Sequence, residues 1–347
     1  MVIGICGYGY TGSSAIVDLL KEYEELDVLV KNFSYTFEFS LPYEPDGLLD
    51  LEYHLTKAPA KHLKSDMAIY RFMQLTSWQR NPMNRVTNGQ FGSLTEDYLN
   101  SLIQVAYHCR RVDTRRNNRL QIYWEKGIGV LQRKLEKRLK RNVKIAKEDI
   151  RYVSVYPNDF LKLTREYVAN ILNAGKTEKE TIRLIDQPFP PNNPEDVFHY
   201  FDDPYAIVVD RDPRDIYVMV KHFAFRSGRF IPSDRVEDFV EYYKAVRRHR
   251  PDKDQSRVLR IRFEDLIYEY DTTVKQVENF LNIEKHTHVR QFFKPEISMR
   301  NTQMMNLFPE DREAMTYIEN HLSDYLYPFD KYEEVKEREG ILDMAHW

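Results

Sequence analysis

The sequence predicts an α/β protein whose parallel sheet is flanked by helices and interrupted by a large helical insertion. Three observations predict it. An apolar run, Val2 to Cys6, passes through a glycine-rich turn into a segment of helical spacing, Ser13 to Leu20. Three later apolar runs, Thr181 to Ile185, Tyr205 to Val209 and Arg257 to Phe263, each lead into a polar turn and then a helix. That is the pattern of parallel strands joined by crossover helices. Between these two groups, from about 48 to 175, helical spacing dominates.

Taken in order, Leu26 to Val30 reads as a second strand and Lys31 to Pro42 as an aromatic and polar loop. Within the insertion the clearest helical stretches are Tyr98 to His108, Ile128 to Leu139 and Phe160 to Leu172, with few strand-like runs between them. After the third late strand comes a helix at Val274 to Leu281, and Pro309 to Leu326 reads as a further amphipathic helix. With 347 residues, 42% of them apolar, the chain can bury one large core, and a single domain over 1–347 is expected.

The first turn carries the chemistry. Gly7, Gly9 and Gly12 spell G-x-G-x-x-G between a strand and a helix, the setting of a dinucleotide-binding fingerprint. That fold places an acidic residue at the end of its second strand, and here the strand ends at Lys31 and Asn32. The same residues spell G-x-x-x-x-G followed by Ser13 and Ser14, which is P-loop spacing with Ser13 in place of the NTPase lysine. The backbone N–H groups of such a loop and of the following helical turn form a cradle for phosphate.

Two more motifs stand at strand ends. Asp210-Arg-Asp-Pro-Arg-Asp215 follows the strand Tyr205 to Val209, so Arg211 is placed to grip a phosphate at the sheet's C-terminal edge. The same stretch also reads as a helix start, with Asp212 as N-cap and Pro213 at the first helical position. The third is Arg262-Phe-Glu-Asp-Leu266.

In this order the three motifs resemble the sulfotransferase family that uses 3′-phosphoadenosine-5′-phosphosulfate (PAPS), of the bacterial, carbohydrate type. The resemblance implies that Gly9, Tyr10, Thr11, Gly12, Ser13 and Ser14 surround the 5′-phosphosulfate and that Arg211 holds the 3′-phosphate. It also implies that Arg262 to Leu266 is the family's R-Y-E-D-L element. Tyr10 stands where the family usually has Lys or Arg, and Met219 where it usually has Ser on the 3′-phosphate. Lys31, Lys221, Arg226 or Arg300 would then supply the missing contacts. PAPS is the implied sulfuryl donor, PAP the product, and no metal is expected.

Sulfuryl transfer to a hydroxyl or amine needs in-line positioning, charge stabilisation on the leaving phosphate and a base for the acceptor's proton. Glu38, shortly after the second strand, is the first candidate base, since tyrosylprotein-type members of the family place a Glu there. Asp186, ending the strand Thr181 to Ile185, is the second, and His222 the third. Three other readings stay open: a nicotinamide-dependent oxidoreductase using the G-x-G-x-x-G loop, a P-loop kinase, and a nucleotide-binding relative without turnover.

Charge narrows the partners. With 51 Lys and Arg against 54 Asp and Glu, the net charge of −3 gives no overall attraction to nucleic acid or to an anionic membrane, so any attraction must be local. Between Arg110 and Lys147 lie 14 Lys or Arg against Asp113, Glu125 and Glu136. Lys134, Lys137, Arg138 and Arg141 belong to this run, which is expected to form a basic wall over the site that draws in an anionic glycan or glycolipid acceptor. Cys6 and Cys109 show no metal or disulfide spacing, which suits a reducing cytoplasm, and neither a leader nor a transmembrane segment is expected.

Overall fold

Five strands, every pairing between them parallel, form the central sheet in the computed structural model, in the order β2-β5-β1-β6-β7. They are β1 (Val2–Gly7), β2 (Leu26–Val28), β5 (Ile182–Asp186), β6 (Pro204–Asp210) and β7 (Val258–Arg262). The structure describes residues 1–28, 38–58, 62–109, 119–145, 148–174, 182–224 and 230–336. Lys31, Arg226, Arg110, Arg111, Asp113, Arg115, Arg116, Lys147 and the expected strand residues Leu29, Val30 and Thr181 lie outside them.

The central strand β1 is apolar without alternation because helices cover both faces of the sheet. On one face Ile3 and Ile5 pack with Ile16 and Leu19 of α1 (Ser13–Leu20) and with Val274 and Val277 of a later helix, Tyr270–Leu281. On the other, Val2, Cys6, Ile185 and Val208 meet the helices that run between β2 and β5. A charge in the middle of this sheet has a specific reason: Arg183 on β5 stands in register with Asp27 on β2 and donates to its carboxylate.

Between β2 and β5 the chain forms α2 (Leu48–Glu52), α3 (His62–Val86), α4 (Phe91–Leu102), α5 (Arg119–Leu139) and α6 (Phe160–Ala174). Helices α4 and α6 are zipped by stacked Tyr98 and Tyr167 rings, 4.3 Å apart, and by hydroxyl pairs Thr95–Tyr167 and Tyr98–Thr164, both at 2.8 Å. Here one expectation is corrected. The helix expected over Tyr98 to His108 ends at Leu102, Ile103 is extended, and β3 (Val105–Cys109) pairs antiparallel with β4 (Asp149–Val153). Arg151 of β4, almost fully buried, holds Asp66 of α3 at 3.0 Å, which anchors this small ladder to the helices.

After β6 come α7 (Pro213–Val218), α8 (Val236–Val246), α9 (Asp265–Tyr268), α10 (Tyr270–Leu281), α11 (Pro295–Ser298) and α12 (Arg312–His321). The final expected helix is shorter than Pro309 to Leu326, because 3-10 turns at Pro309–Asp311 and Ser323–Tyr325 bracket α12. Helices α7, α8 and α12 share a third core that includes Met219, Phe239, Met304 and Ile318. Both cysteines are free thiols. Among the described residues no helix is long and apolar enough to cross a membrane.

Candidate active site

Parallel register brings the three motifs to one edge. Gly7 of β1 pairs with Val209 of β6, Ile5 with Asp186 of β5, and Asp210 of β6 with Arg262 of β7. The strand C-termini therefore present the glycine loop, Asp186, Arg211 and the Arg262 element side by side, where open α/β sheets bind ligands.

The loop is wound through the left-handed region. Gly9 has φ 88°, Tyr10 φ 56° and Gly12 φ 80°, and Gly12 is the N-cap of α1. Tyr10 stacks on Phe230, with ring centroids 5.5 Å apart. A side chain at Gly9 would overlap Phe230, and one at Gly12 would overlap the ring of Phe263. Gly12 is thus required by its backbone and by Phe263. The buried Thr11 hydroxyl has no hydrogen-bond partner among the described residues. A buried hydroxyl left so at a turn leading into a helix fits an anion as its missing partner.

One residue at this loop escaped the sequence reading. Gln187, in the left-handed region at φ 51°, accepts the Gly7 N–H at 3.1 Å through Oε1 and donates through Nε2 to Ser13 Oγ at 3.3 Å. Its amide ties the start of the loop to the first residue of α1 and to the end of β5. The only signal in the sequence is its place between Asp186 and Pro188 at a strand end.

Arg211 is buried, and its guanidinium donates to the carbonyls of Tyr10, at 3.2 Å, and of Asn301, with the Met304 sulfur at 3.3 Å. It also lies over the Phe263 ring, 5.1 Å from the centroid. Its Nε has no hydrogen-bond partner among the described residues. Arg211 therefore joins the glycine loop to the turn that carries Arg300, which is itself exposed. The helix start read from the sequence is present too: Asp212 accepts the Arg214 N–H at 2.8 Å and Pro213 opens α7.

Behind Arg211 the charges are paired. Arg247 holds the Asp210 carboxylate through two nitrogens, at 2.7 and 2.9 Å, and lies between the rings of Tyr243 and Tyr8. Glu264 is fully buried and accepts the Asp212 N–H at 2.7 Å. Burial pushes its carboxyl up to about 8, against the pull of Arg262.

Glu38 and Asp186 meet at the loop's flank. Their backbones form an isolated parallel bridge, and the Phe39 N–H donates to the Asp186 carbonyl at 2.9 Å. Glu38 is exposed, yet crowding by surrounding atoms and then the charge of Glu44 raise its carboxyl above the ordinary value. A carboxylate so shifted takes up a proton more readily. His222 is placed differently: its Nε2 meets the Asp311 carboxylate at 2.6 Å, its ring stacks on Phe308, and Lys221 binds the same Asp311. Met219 is buried in the third core with Phe239 and Met304, so its side chain fills space there. Among the described residues no group of three or more His, Cys, Asp or Glu could hold a metal ion.

The sheet order and the glycine loop at the end of its central strand define an α/β protein of P-loop architecture. A family model described as "Sulfotransferase family" matches residues 124–287, the segment that carries β5, the Arg211 motif and the Arg262 element. Among solved structures it is similar to the sulfotransferase domain from the curacin biosynthetic pathway (12% identity, TM-score 0.38, 84% of this chain and 77% of that one). It is similar as well to the sulfotransferase domain from the Synechococcus PCC 7002 olefin synthase (12% identity, TM-score 0.38, 87% of each chain). A third is retinol dehydratase in complex with androsterone and inactive cofactor PAP (12% identity, TM-score 0.35, 94% of this chain and 82% of that one). Comparison with curated proteins gives no match.

Proposed function

We propose that the protein transfers a sulfuryl group from PAPS to a hydroxyl or amine of an acceptor, a glycan or glycolipid. The observation that carries this reading is the convergence at one sheet edge of a left-handed glycine loop, a Thr11 hydroxyl without a hydrogen-bond partner among the described residues, Arg211 against the loop, and Glu38 and Asp186 joined through their backbones. The donor supplies the sulfuryl group and a phosphate leaving group. Loop N–H groups from Gly9 to Ser14, with the hydroxyls of Thr11 and Ser13, would take the 5′-phosphate end. Gln187 holds Ser13 in place for that role. Arg211 would hold the 3′-phosphate by exchanging its carbonyl acceptors for phosphate oxygens, a charge-assisted and stronger pairing.

Glu38 or Asp186 would accept the acceptor's proton as its oxygen or nitrogen attacks sulfur. His222 stands apart from these two, on the turn Met219–Phe223 with its Nε2 engaged by Asp311, and is the third candidate. Of the expected compensating cations, Lys221 is held by Asp311, so Arg300, one residue from the carbonyl that Arg211 grips, is the better placed.

A thermal-shift panel tests the reading. PAP and PAPS should raise the melting temperature at concentrations where NAD, NADP, ATP and GTP do not. A shift with NAD alone would favour the oxidoreductase reading, and PAP binding without turnover of PAPS a binding protein.

A further inference from the structure

Helix α5 is unlike every other long element of the molecule. It runs 21 residues from Arg119 to Leu139 and buries none of its side chains. Leu120, Tyr123 and Trp124 are each more than two-thirds exposed, at 81, 72 and 71%, and Leu131 is half exposed at 50%. At 3.6 residues per turn, Leu120, Trp124, Gly127, Ile128, Leu131 and Leu135 fall on one stripe. Ile128 and Leu135 are half-buried, and the apolar surface of Leu120, Trp124 and Leu131 left to water costs free energy that folding has not recovered.

The charges around the stripe are sorted. Glu125 and Glu136, the only acids of α5, are half-buried on the same flank as Gln132, which donates to Glu136 at 3.1 Å. Lys126, Arg133, Lys134, Lys137 and Arg138 are all exposed, and Lys140, Arg141 and Lys144 continue the run beyond the helix end. A second copy of the chain laid on α5 would set these cations against each other. A polyanionic glycan would satisfy the charge but not the stripe.

We infer that α5 docks on an anionic lipid bilayer, its apolar stripe in the boundary between headgroups and acyl chains and its cations against lipid phosphates. Long helices with a Trp and Leu face beside a Lys and Arg face bind in this way, and the tryptophan ring suits the headgroup level. Each Lys or Arg held at an anionic surface adds roughly a fivefold gain in partition. The inference is independent of the sulfotransfer reading, since it concerns binding and not turnover.

The test uses the full chain with W78F and W347F, which leaves Trp124 as the single tryptophan of the three in the sequence. Its emission should be red-shifted and open to acrylamide in buffer. It should move to the blue and become shielded with vesicles of 70% phosphatidylcholine and 30% phosphatidylglycerol, but not with phosphatidylcholine alone. On the same background, Leu120→Gln with Leu131→Gln, and separately Lys134→Gln, Lys137→Gln and Arg138→Gln together, should each lower partition at least tenfold. Unchanged melting temperatures and circular dichroism spectra in the absence of any ligand would show that both variants are folded. No response to anionic vesicles, or a Trp124 already shielded in buffer, would overturn the inference. So would dimerisation through α5 in light scattering, or dextran sulfate binding that the leucine variant retains.

Discussion

The sheet edge and helix α5 use charge in opposite ways. At the edge, Arg211, Asp212, Glu264 and Arg247 are all buried and each has a named partner. On α5 the cations are exposed and no side chain is buried. Buried charge is costly unless geometry holds its partner in place, so the edge must be rigid. Exposed charge costs little and fixes nothing, so α5 is free to meet something else. Substitutions of the buried residues at the edge should therefore disturb stability and ligand binding together, and substitutions on α5 should spare both.

The largest effect is expected at Gly12. Gly12→Val would force a β-branched residue to φ 80° and drive its side chain into Phe263, at a cost of about 3 kcal/mol or more. Chemical denaturation should show it, with the PAP-induced thermal shift lost as well. A variant with wild-type stability would mean that the loop is not held as described.

The two carboxylates of the edge bear on catalysis rather than on stability. Glu38→Gln or Asp186→Asn, whichever removes the base, should cut PAPS turnover by about two orders of magnitude and leave PAP affinity nearly intact. If both variants turn over normally, the base lies elsewhere on the edge.

Glu264 tests the cost of buried charge directly. Its folded pKa, about 8, lies above the ordinary 4.5, so the fold favours the protonated form. Its stabilising contribution is full below about pH 4.5 and is lost as pH rises through about 8. Urea unfolding at pH 6 and pH 8 should show wild type losing up to about 2 kcal/mol more than Glu264→Gln over this interval, at about 1.4 kcal/mol per pH unit at most. Equal slopes would mean that Glu264 stays ionised against Arg262.

On α5 and just past its end, changing Lys134, Lys137, Arg138 and Arg141 together to Gln should move stability by no more than about 0.5 kcal/mol, because exposed charges contribute little. The PAP shift should also stay the same. A large loss of stability would show that the run is structural.

How much of this could be read from the chain differs between the two regions. The strand, glycine loop and helix at Val2 to Leu20 were legible because each signal is local: an apolar run, glycines where the backbone turns left-handed, and helical spacing. Asp212 and Pro213 were legible for the same reason. The β3–β4 ladder was not, since Val105–Cys109 is a short, largely exposed strand and Asp149–Val153 a short, partly exposed one, defined by pairing across some forty residues and by the Arg151–Asp66 contact. Glu38 and Asp186 were each singled out, but their adjacency comes from a parallel bridge that no local pattern encodes. The hold of Arg211 on the Tyr10 and Asn301 carbonyls was equally invisible, because a backbone acceptor leaves no trace in residue identity.

The most direct measurement is calorimetric titration of PAP and of adenosine-5′-phosphosulfate into wild type and Arg211→Ala. Only PAP carries a 3′-phosphate. A folded Arg211→Ala is expected to bind PAP about a hundredfold more weakly, the loss of a charge-assisted pair of roughly 2 to 3 kcal/mol, with adenosine-5′-phosphosulfate changed less than about threefold. Equal weakening of the two ligands, or no weakening of PAP, would contradict the assignment of Arg211 to the 3′-phosphate.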